Sequence, residues 1–284
     1  MRDWDDHRLI LTLHRCGTLR ATGDALDVTH TTVARRLAAL EAREPTPVFI
    51  RQDRAYRATD YGLERVALAE RMEEIDLAAM RVQRSSNNGL AGPLSLSVPQ
   101  AVFQFLLLKD IGAFAGAHPD IDLTVVGTDR LADLDRGEAD VVIRGHANPP
   151  EHLVGREICK VGVRNYAHRE YLDRTTPDAR KWISASDNAV WIKDTPYPHQ
   201  PVGLVIHDIQ SRFLALAAGQ GLSRAACFMA DPHPDLEPLD DTPPTPLYGL
   251  WVLTHPDLRA SPKVKALMKA MGDALARQRS MIEG

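Results

Sequence analysis

The sequence predicts a chain in two parts: an N-terminal winged helix-turn-helix running into one long helix, then a larger α/β domain of two lobes. Three observations predict it. Apolar residues recur at helical spacing in three segments between Asp5 and Leu40, and two short β-prone segments carrying arginines follow. After Thr59-Asp60-Tyr61-Gly62, no Gly or Pro occurs until beyond Arg84. Past residue 92, strand-like and helix-like patterns alternate, which calls for a largely parallel sheet covered by helices. At 284 residues the chain is also too long for one ordinary domain.

The first helix spans about Asp5 to Cys16, with Leu9, Ile10 and Leu13 on its apolar side and Gly17 as its stop. A second follows from about Leu19 to Leu26, and Asp27-Val28 makes a tight turn. The Thr29 hydroxyl is placed to cap a third helix, whose first N–H groups have no internal partner. In that helix Val33, Leu37 and Leu40 step by four and three, which aligns them on one buried stripe. Thr31, Arg35, Ala38 and Ala42 are left on the opposite face, which is slim, polar and basic. Pro45 and Pro47 end the helix, since neither has an N–H to donate. Val48-Phe49-Ile50 and Ala55-Tyr56-Arg57-Ala58 read as two strands joined by a turn at Arg51-Gln52-Asp53-Arg54, a wing carrying three arginines.

In the uninterrupted stretch Leu68, Met72, Ile75, Ala79 and Val82 alternate spacings of four and three, an apolar seam amid charged neighbours. So narrow a stripe suits pairing with a second copy of the helix better than a broad core, although the chain's own second domain could also cover it. Ser85-Ser86-Asn87-Asn88-Gly89 and Gly92-Pro93 read as a flexible joint.

In the second part, strands are expected at Leu94 to Val98, Ile121 to Val126, Ala139 to Arg144, Lys160 to Tyr166, Ala189 to Ile192 and Leu247 to Thr254. Helices are expected at about Gln100 to Ala117, Leu131 to Arg136, Ile209 to Ala218 and Pro262 to Arg279, and residues 231–246 as a Pro- and Asp-rich surface loop. The domain limits predicted are 1–63 for the winged unit, 64–88 for the linker helix and 89–284 for the α/β part. The latter divides into lobe 1 (about 92–162 and 262–284) and lobe 2 (about 163–261).

Composition narrows the function. No apolar run approaches the length of a membrane span and the N-terminus has no signal-peptide core, so a cytoplasmic protein without membrane contact is expected. Cys16, Cys159 and Cys227 are widely separated and expected to be reduced. His146 and His152 lack further convergent ligands, so neither a structural metal nor a cofactor is expected. The sequence contains no G-x-S-x-G, no H-E-x-x-H and no phosphate-cradling glycine loop, and no catalytic residue is assigned. The net charge of -4 argues mildly against nucleic acid, but Arg35, Arg36, Arg43, Arg51, Arg54 and Arg57 outnumber Glu41, Glu44 and Asp53 between positions 35 and 57.

In order and spacing the chain resembles the LysR-type transcriptional regulators. The resemblance rests on Gly17-Thr18-Leu19, on the run from Ala25 to Glu41, on Phe49-x-Arg51 and on Thr59-x-x-Gly62. It continues in Gly137 to Arg144, Ala217-Ala218-Gly219-Gln220-Gly221-Leu222 and His255-Pro256-Asp257-Leu258. Departures are Thr22-Gly23 where the family usually has two alanines, Pro45-Thr46-Pro47 where it has Leu-Gly, and Thr29-His30 where it has Ser-Gln. The resemblance implies a linker helix that pairs with a second subunit and an effector domain with the fold of periplasmic solute-binding proteins.

A slim basic helix fits the major groove, so Thr29, His30, Thr31, Thr32, Arg35 and Arg36 are the expected contacts to double-stranded DNA. Arg51, Arg54 and Arg57 of the wing would hold the phosphate backbone. Leu68, Met72, Ile75, Ala79 and Val82 would make a homodimer or a dimer of dimers. A small anionic effector is expected between the lobes near Gln100, Thr128 and Arg144, with Lys193 and Thr195 on the facing wall, because open α/β sheets bind at the carboxyl ends of their strands. Gln100 and Thr128 are also readable as simple caps, and Arg144 as the partner of a hinge carboxylate. Contact with the transcription machinery is compatible with this picture. The alternatives are a solute-binding protein or enzyme with a degenerate helix-turn-helix, and a DNA-binding protein without a ligand.

Overall fold

The structure, a computed structural model, describes residues 4–85 and 89–284. The chain forms two compact units, Met1–Gln83 and Arg84–Gly284. In the first, α1 (Trp4–Cys16), α2 (Leu19–Leu26) and α3 (His30–Glu41) precede the hairpin β1 (Phe49–Gln52) and β2 (Ala55–Ala58), and α4 (Asp60–Ser85) follows. Leu9, Ile10 and Leu13 of α1 close on Val33, Leu37 and Leu40 of α3, with Val48 and Phe49 from the wing and Val66 and Ala69 from α4. The expected stripe is therefore the core of this unit. The limit expected after residue 63 falls inside α4, because its first turns pack on the same core. Of the expected joint, residues 86–88 lie outside the described residues.

Close backbone approach fixes the start of α4. A Cβ added to Gly62 would lie 2.0 Å from the Val48 carbonyl oxygen, so only glycine lets the helix sit this near the wing. Thr59 donates its hydroxyl to Pro47 O (2.7 Å) and accepts from Gly62 N (2.9 Å), which joins the end of the wing to the start of the helix. Gly23 plays a similar part between helices: an added Cβ would lie 2.7 Å from Val28 O, just before α3.

The second unit contains β3 (Gly92–Val98), α5 (Gln100–Val102), a π-helical segment Phe103–Leu107, α6 (Leu108–Ala117), β4 (Ile121–Gly127), β5 (Val141–His146), β6 (Val154–His168) and α7 (Arg169–Arg174). It continues with β7 (Trp182–Ser184), β8 (Val202–Val205), α8 (Ile209–Ala217), β9 (Leu222–Ala226), α9 (Cys227–Ala230), β10 (Leu236–Pro238), β11 (Thr245–Thr254), α10 (Pro262–Arg277) and α11 (Arg279–Glu283). The strand order is β4-β3-β5-β11-β6-β9-β7-β8, with β10 beside β6.

The largely parallel sheet expected from the alternation is in fact mixed. Parallel pairs occupy its two ends, β4-β3-β5 and β9-β7-β8, while β11 and β6 run antiparallel to each other and to their neighbours β5 and β9. The two long strands carry the chain between the lobes. β11 pairs with β5 through Gly249–Thr254, so the strand that the sequence reading assigned to lobe 2 also runs along lobe 1. One large core spans β3, β5, β6 and the helices α6, α8 and α10, and a smaller one around Trp182, Tyr171 and Leu222 fills the second lobe.

Two expected elements are absent. No helix forms at 131–136: the Asp133 carboxylate accepts from the Asp135 and Arg136 amides, and Glu138 accepts from Asp133 N, so side chains take the amide bonds a helix would need. The strand expected at 189–192 is instead a 3-10 helix, Val190–Asp194, in which Ile192 is buried and Trp191 meets Trp182 edge-on at 5.2 Å. Burial there overrides the β propensity of Val-Trp-Ile. The loop expected at 231–246 contains the short strand β10, and the last helix breaks at Gln278.

Candidate nucleic-acid interface and ligand cavity

The exposed side of the first unit is built from α3 outward. Thr29 caps α3 as its spacing predicts, its Oγ1 accepting from Thr32 N at 3.3 Å and lying 2.9 Å from the hydroxyls of both Thr31 and Thr32. Val33, Leu37 and Leu40 turn inward, leaving His30, Thr31, Arg35 and Arg36 exposed and Thr32 half-buried at the edge. On the wing Arg51, Arg54 and Arg57 are exposed, and Asp53 turns the hairpin with φ 56°.

Charge on this surface exceeds what the sequence count suggests. Glu41 turns inward and accepts from Val48 N (2.9 Å) and Phe49 N (3.0 Å), locking the wing to the end of α3. The Glu44 side chain is 4% exposed and pairs with the equally buried side chain of Arg65 at 3.2 Å, while the Tyr61 hydroxyl donates to it. Arg43 is held by Asp6 at 2.9 Å. Among the described residues, Arg35, Arg36, Arg51, Arg54 and Arg57 have no carboxylate partner, so five exposed guanidiniums share the helix and wing surface. Sequence reasoning missed Arg20, which is exposed on α2 and borders the same open groove as Thr29 and His30. Its place near the Thr18-capped start of α2 was the available signal.

On α4 the seam residues Leu68, Met72, Ile75, Ala79 and Val82 are all exposed, Ile75 at 70%. The other side of the helix carries Val66 and Ala69 into the core and Glu73 onto Arg15, through two hydrogen bonds of 2.7 Å. That pairing raises the Arg15 pKa. Within its own unit the apolar seam is therefore uncovered.

In the second unit the expected residues of the first lobe gather at the ends of β3 and β4, where Thr128 N donates to Val98 O at 2.9 Å and a Cβ added to Gly127 would lie 4.0 Å from Gln100 Cγ. Gln100 opens α5 and is half-buried. Thr128 follows β4, but its hydroxyl accepts from Arg130 N at 3.1 Å in a turn, not at a helix start. Arg144 is buried without the expected hinge carboxylate: it donates to Ile143 O (2.9 Å), Ser97 Oγ (2.7 Å) and Arg130 O (3.2 Å), so it braces the 130 loop against the sheet. Burial lowers its pKa, opposed by the charge of Asp129. Arg144 also borders a cavity of about 330 Å³ under that loop, with Leu131, Leu134 and Leu153. Lys193 is exposed, and Thr195 is buried with its hydroxyl donated to Ile192 O at 2.6 Å.

A larger cavity of about 480 Å³ opens at the carboxyl end of β7, where the second lobe meets the crossing strands. Val161, Val163 and Leu247 form its apolar side, and Ser184, Ser186 and Asn188 bring polar groups. The Tyr248 ring packs against Gly145, where an added Cβ would come within 2.2 Å of it, so this tyrosine links the cavity wall to lobe 1. Arg212 and Arg224 also line it, and no Asp or Glu does. Gln100, Thr128, Arg144, Lys193 and Thr195 are not in its wall. Arg212 and Arg224 are far apart in sequence from the expected residues, and no local pattern marked them.

The chain matches two family descriptions: the LysR substrate binding domain over residues 87–276, and the bacterial regulatory helix-turn-helix protein of the lysR family over residues 4–63. It is 31% identical over 146 residues to the Mau operon transcriptional activator of Paracoccus denitrificans, covering 50% of each chain. It is 27% identical over 218 residues to the AhcY transcriptional activator HvrB of Rhodobacter capsulatus, covering 72% of each. The matched stretch spans about half the length of several curated relatives. The full-length virulence activator AphB of Vibrio cholerae superposes with a TM-score of 0.56 at 19% identity, covering 95% of this chain and 98% of that one. The full-length LysG of Corynebacterium glutamicum, solved with its effector Arg, superposes at 0.53 and 18% identity over 97% and 99%. At such identity the structural likeness speaks for the fold.

Proposed function

The chain belongs to the LysR family of bacterial regulators, and from that premise we propose that it is a sequence-specific DNA-binding transcription regulator controlled by a small-molecule effector. The observation that carries this reading is the surface of α3 and the wing, where five exposed guanidiniums lack carboxylate partners and two glutamates of the same segment are turned inward. Such a surface suits a polyanion: the slim face of α3 with Thr31 and Arg35 suits base edges in the major groove, and the wing arginines suit phosphates. A degenerate helix-turn-helix would be expected to lose its cap or core, and here Thr29 caps α3 while Val33, Leu37 and Leu40 are buried.

The exposed seam of Leu68, Met72, Ile75, Ala79 and Val82 pairs two copies into a homodimer, which sets two recognition helices on a two-fold DNA site. The effector occupies the cavity at the end of β7 and acts by unequal affinity for two conformations of the regulator. The protein has no catalytic role in this reading and works in the cytoplasm; no described helix is long and apolar enough to cross a membrane. A mobility-shift assay on the DNA flanking its own gene tests the reading. Retarded DNA that resists unrelated competitor is expected, and binding no stronger than to random DNA overturns it.

A further inference from the structure

Resting on the regulator reading, we propose that the cavity at the end of β7 takes a small organic dianion, gripped by Arg212 and Arg224. Arg224 is half-buried, its Nε has no hydrogen-bond partner, and its guanidinium lies 4.8 Å over the ring of Trp191. Arg212 is also half-buried, and its Nη1 donates only to the backbone, to Ile206 O at 2.9 Å and His207 O at 2.8 Å. Neither forms an ion pair among the described residues. The nearest acids only bias them: Asp208 caps α8 through Ser211 N at 2.6 Å, and Asp194 acts on Arg224 from beyond ion-pair distance.

Two half-buried guanidiniums in one cavity whose wall carries no carboxylate hold positive charge with no ion-pair partner there, an arrangement that a bound anion relieves. Arginine cannot lose its proton to relieve it instead. A dianion neutralises both, and the fork of each guanidinium matches a carboxylate or phosphate. Ser184, Ser186 and Asn188 supply hydrogen bonds for its remaining oxygens, and Val161 and Val163 contact a short carbon skeleton. The volume of about 480 Å³ falls in the ordinary range for small-ligand sites. The absence of acidic groups from the wall disfavours cations, and neutral molecules would leave both arginines unpaired.

The test uses the full chain, with thermal shift and calorimetry against succinate, oxoglutarate and phthalate as dicarboxylates and glycerol phosphate as a phosphate dianion. Succinamide and phthalamide are the neutral counterparts. At about 10 mM ligand, at least one dianion should raise the melting temperature while its neutral counterpart does not. The dicarboxylate and phosphate arms separate the two chemistries. Arg212→Gln and Arg224→Gln should each weaken that binding about tenfold or more, and Arg224→Lys should restore part of it. If either Gln variant melts early without ligand, Asn188→Ala serves as the second variant, with a smaller weakening expected. The proposal is overturned if no dianion shifts the melting temperature, if only neutral or cationic compounds bind, or if binding ignores these substitutions. A mobility shift on the same preparations separates the two levels: DNA binding that persists leaves the regulator reading standing while the dianion fails, and its loss removes that reading itself.

Discussion

Glu44 and Arg65 meet at 3.2 Å with each side chain 4% exposed, and Tyr61 donates to the same carboxylate, so the junction between wing and long helix is a buried ionic network. Removing one partner of such a pair leaves an uncompensated buried charge. Glu44→Ala should therefore destabilise the first unit by about 3–5 kcal/mol in urea unfolding, and Arg65→Met added to it should recover part of the loss. An unchanged midpoint for Glu44→Ala would show that water reaches the pair. On the outer surface, Thr31→Ala and Arg35→Ala should leave stability unchanged while weakening specific DNA affinity by about 1–3 kcal/mol per base contact. Arg54→Ala should weaken binding to all sequences alike and flatten its salt dependence; a variant set with unchanged affinity would discard this orientation of α3. The thiols make a separate check. Burial pushes the Cys159 pKa up to about 11 and raises that of Cys227, whereas Cys16 is partly exposed. Iodoacetamide at mildly alkaline pH should label Cys16 well before the other two, as read by mass spectrometry, and the reverse order would contradict the packing of β6. Residue roles set by neighbours in sequence, such as the Thr29 cap, were legible beforehand. Arg144 was not, because its partners Ser97 and Arg130 reach it through the sheet and a folded loop.

Elements were legible where one periodicity ruled a long segment. The limits of α1, α2 and β2 and the start of α3 agree with the expected ones within a residue, since Gly17, Asp27 and Thr29 punctuate them locally, whereas α3 ends at Glu41, before the prolines expected to stop it. Segments 131–136 and 189–192 were misread because side-chain bonds from Asp133 and Glu138, and burial of Ile192 beside Trp182, decide their form. The short strands β7, β8 and β9 went unread: three to five residues do not hold a periodicity. For α4 the seam was legible, and its exposure in the folded unit gives it a consequence. Ile75→Glu puts a charge at the middle of the stripe, where pairing would desolvate it without a partner. Sedimentation should show a dimer converted to monomer at micromolar concentration, with melting of the first unit unchanged. A dimer that survives would mean that other surfaces hold the copies together.

For the whole molecule, the sequence conveyed two units and their order but not the form of the sheet. Alternating patterns look alike whether the strands between the lobes run parallel or antiparallel, so the crossing of β6 and β11 became visible only in three dimensions. The candidate ligand site shared that fate. Arg212 and Arg224 come from α8 and β9 and face one cavity only after the second lobe has folded against Tyr248. The central claim is that the arginine-bearing surface of α3 and the wing binds a specific DNA site as a regulator. Footprinting of the full chain on the DNA flanking its own gene tests it most directly. The account predicts a protected two-fold site at nanomolar protein, lost in Arg35→Ala and altered in extent when an effector is added; uniform cleavage across that DNA, at concentrations where the protein is folded, would contradict it.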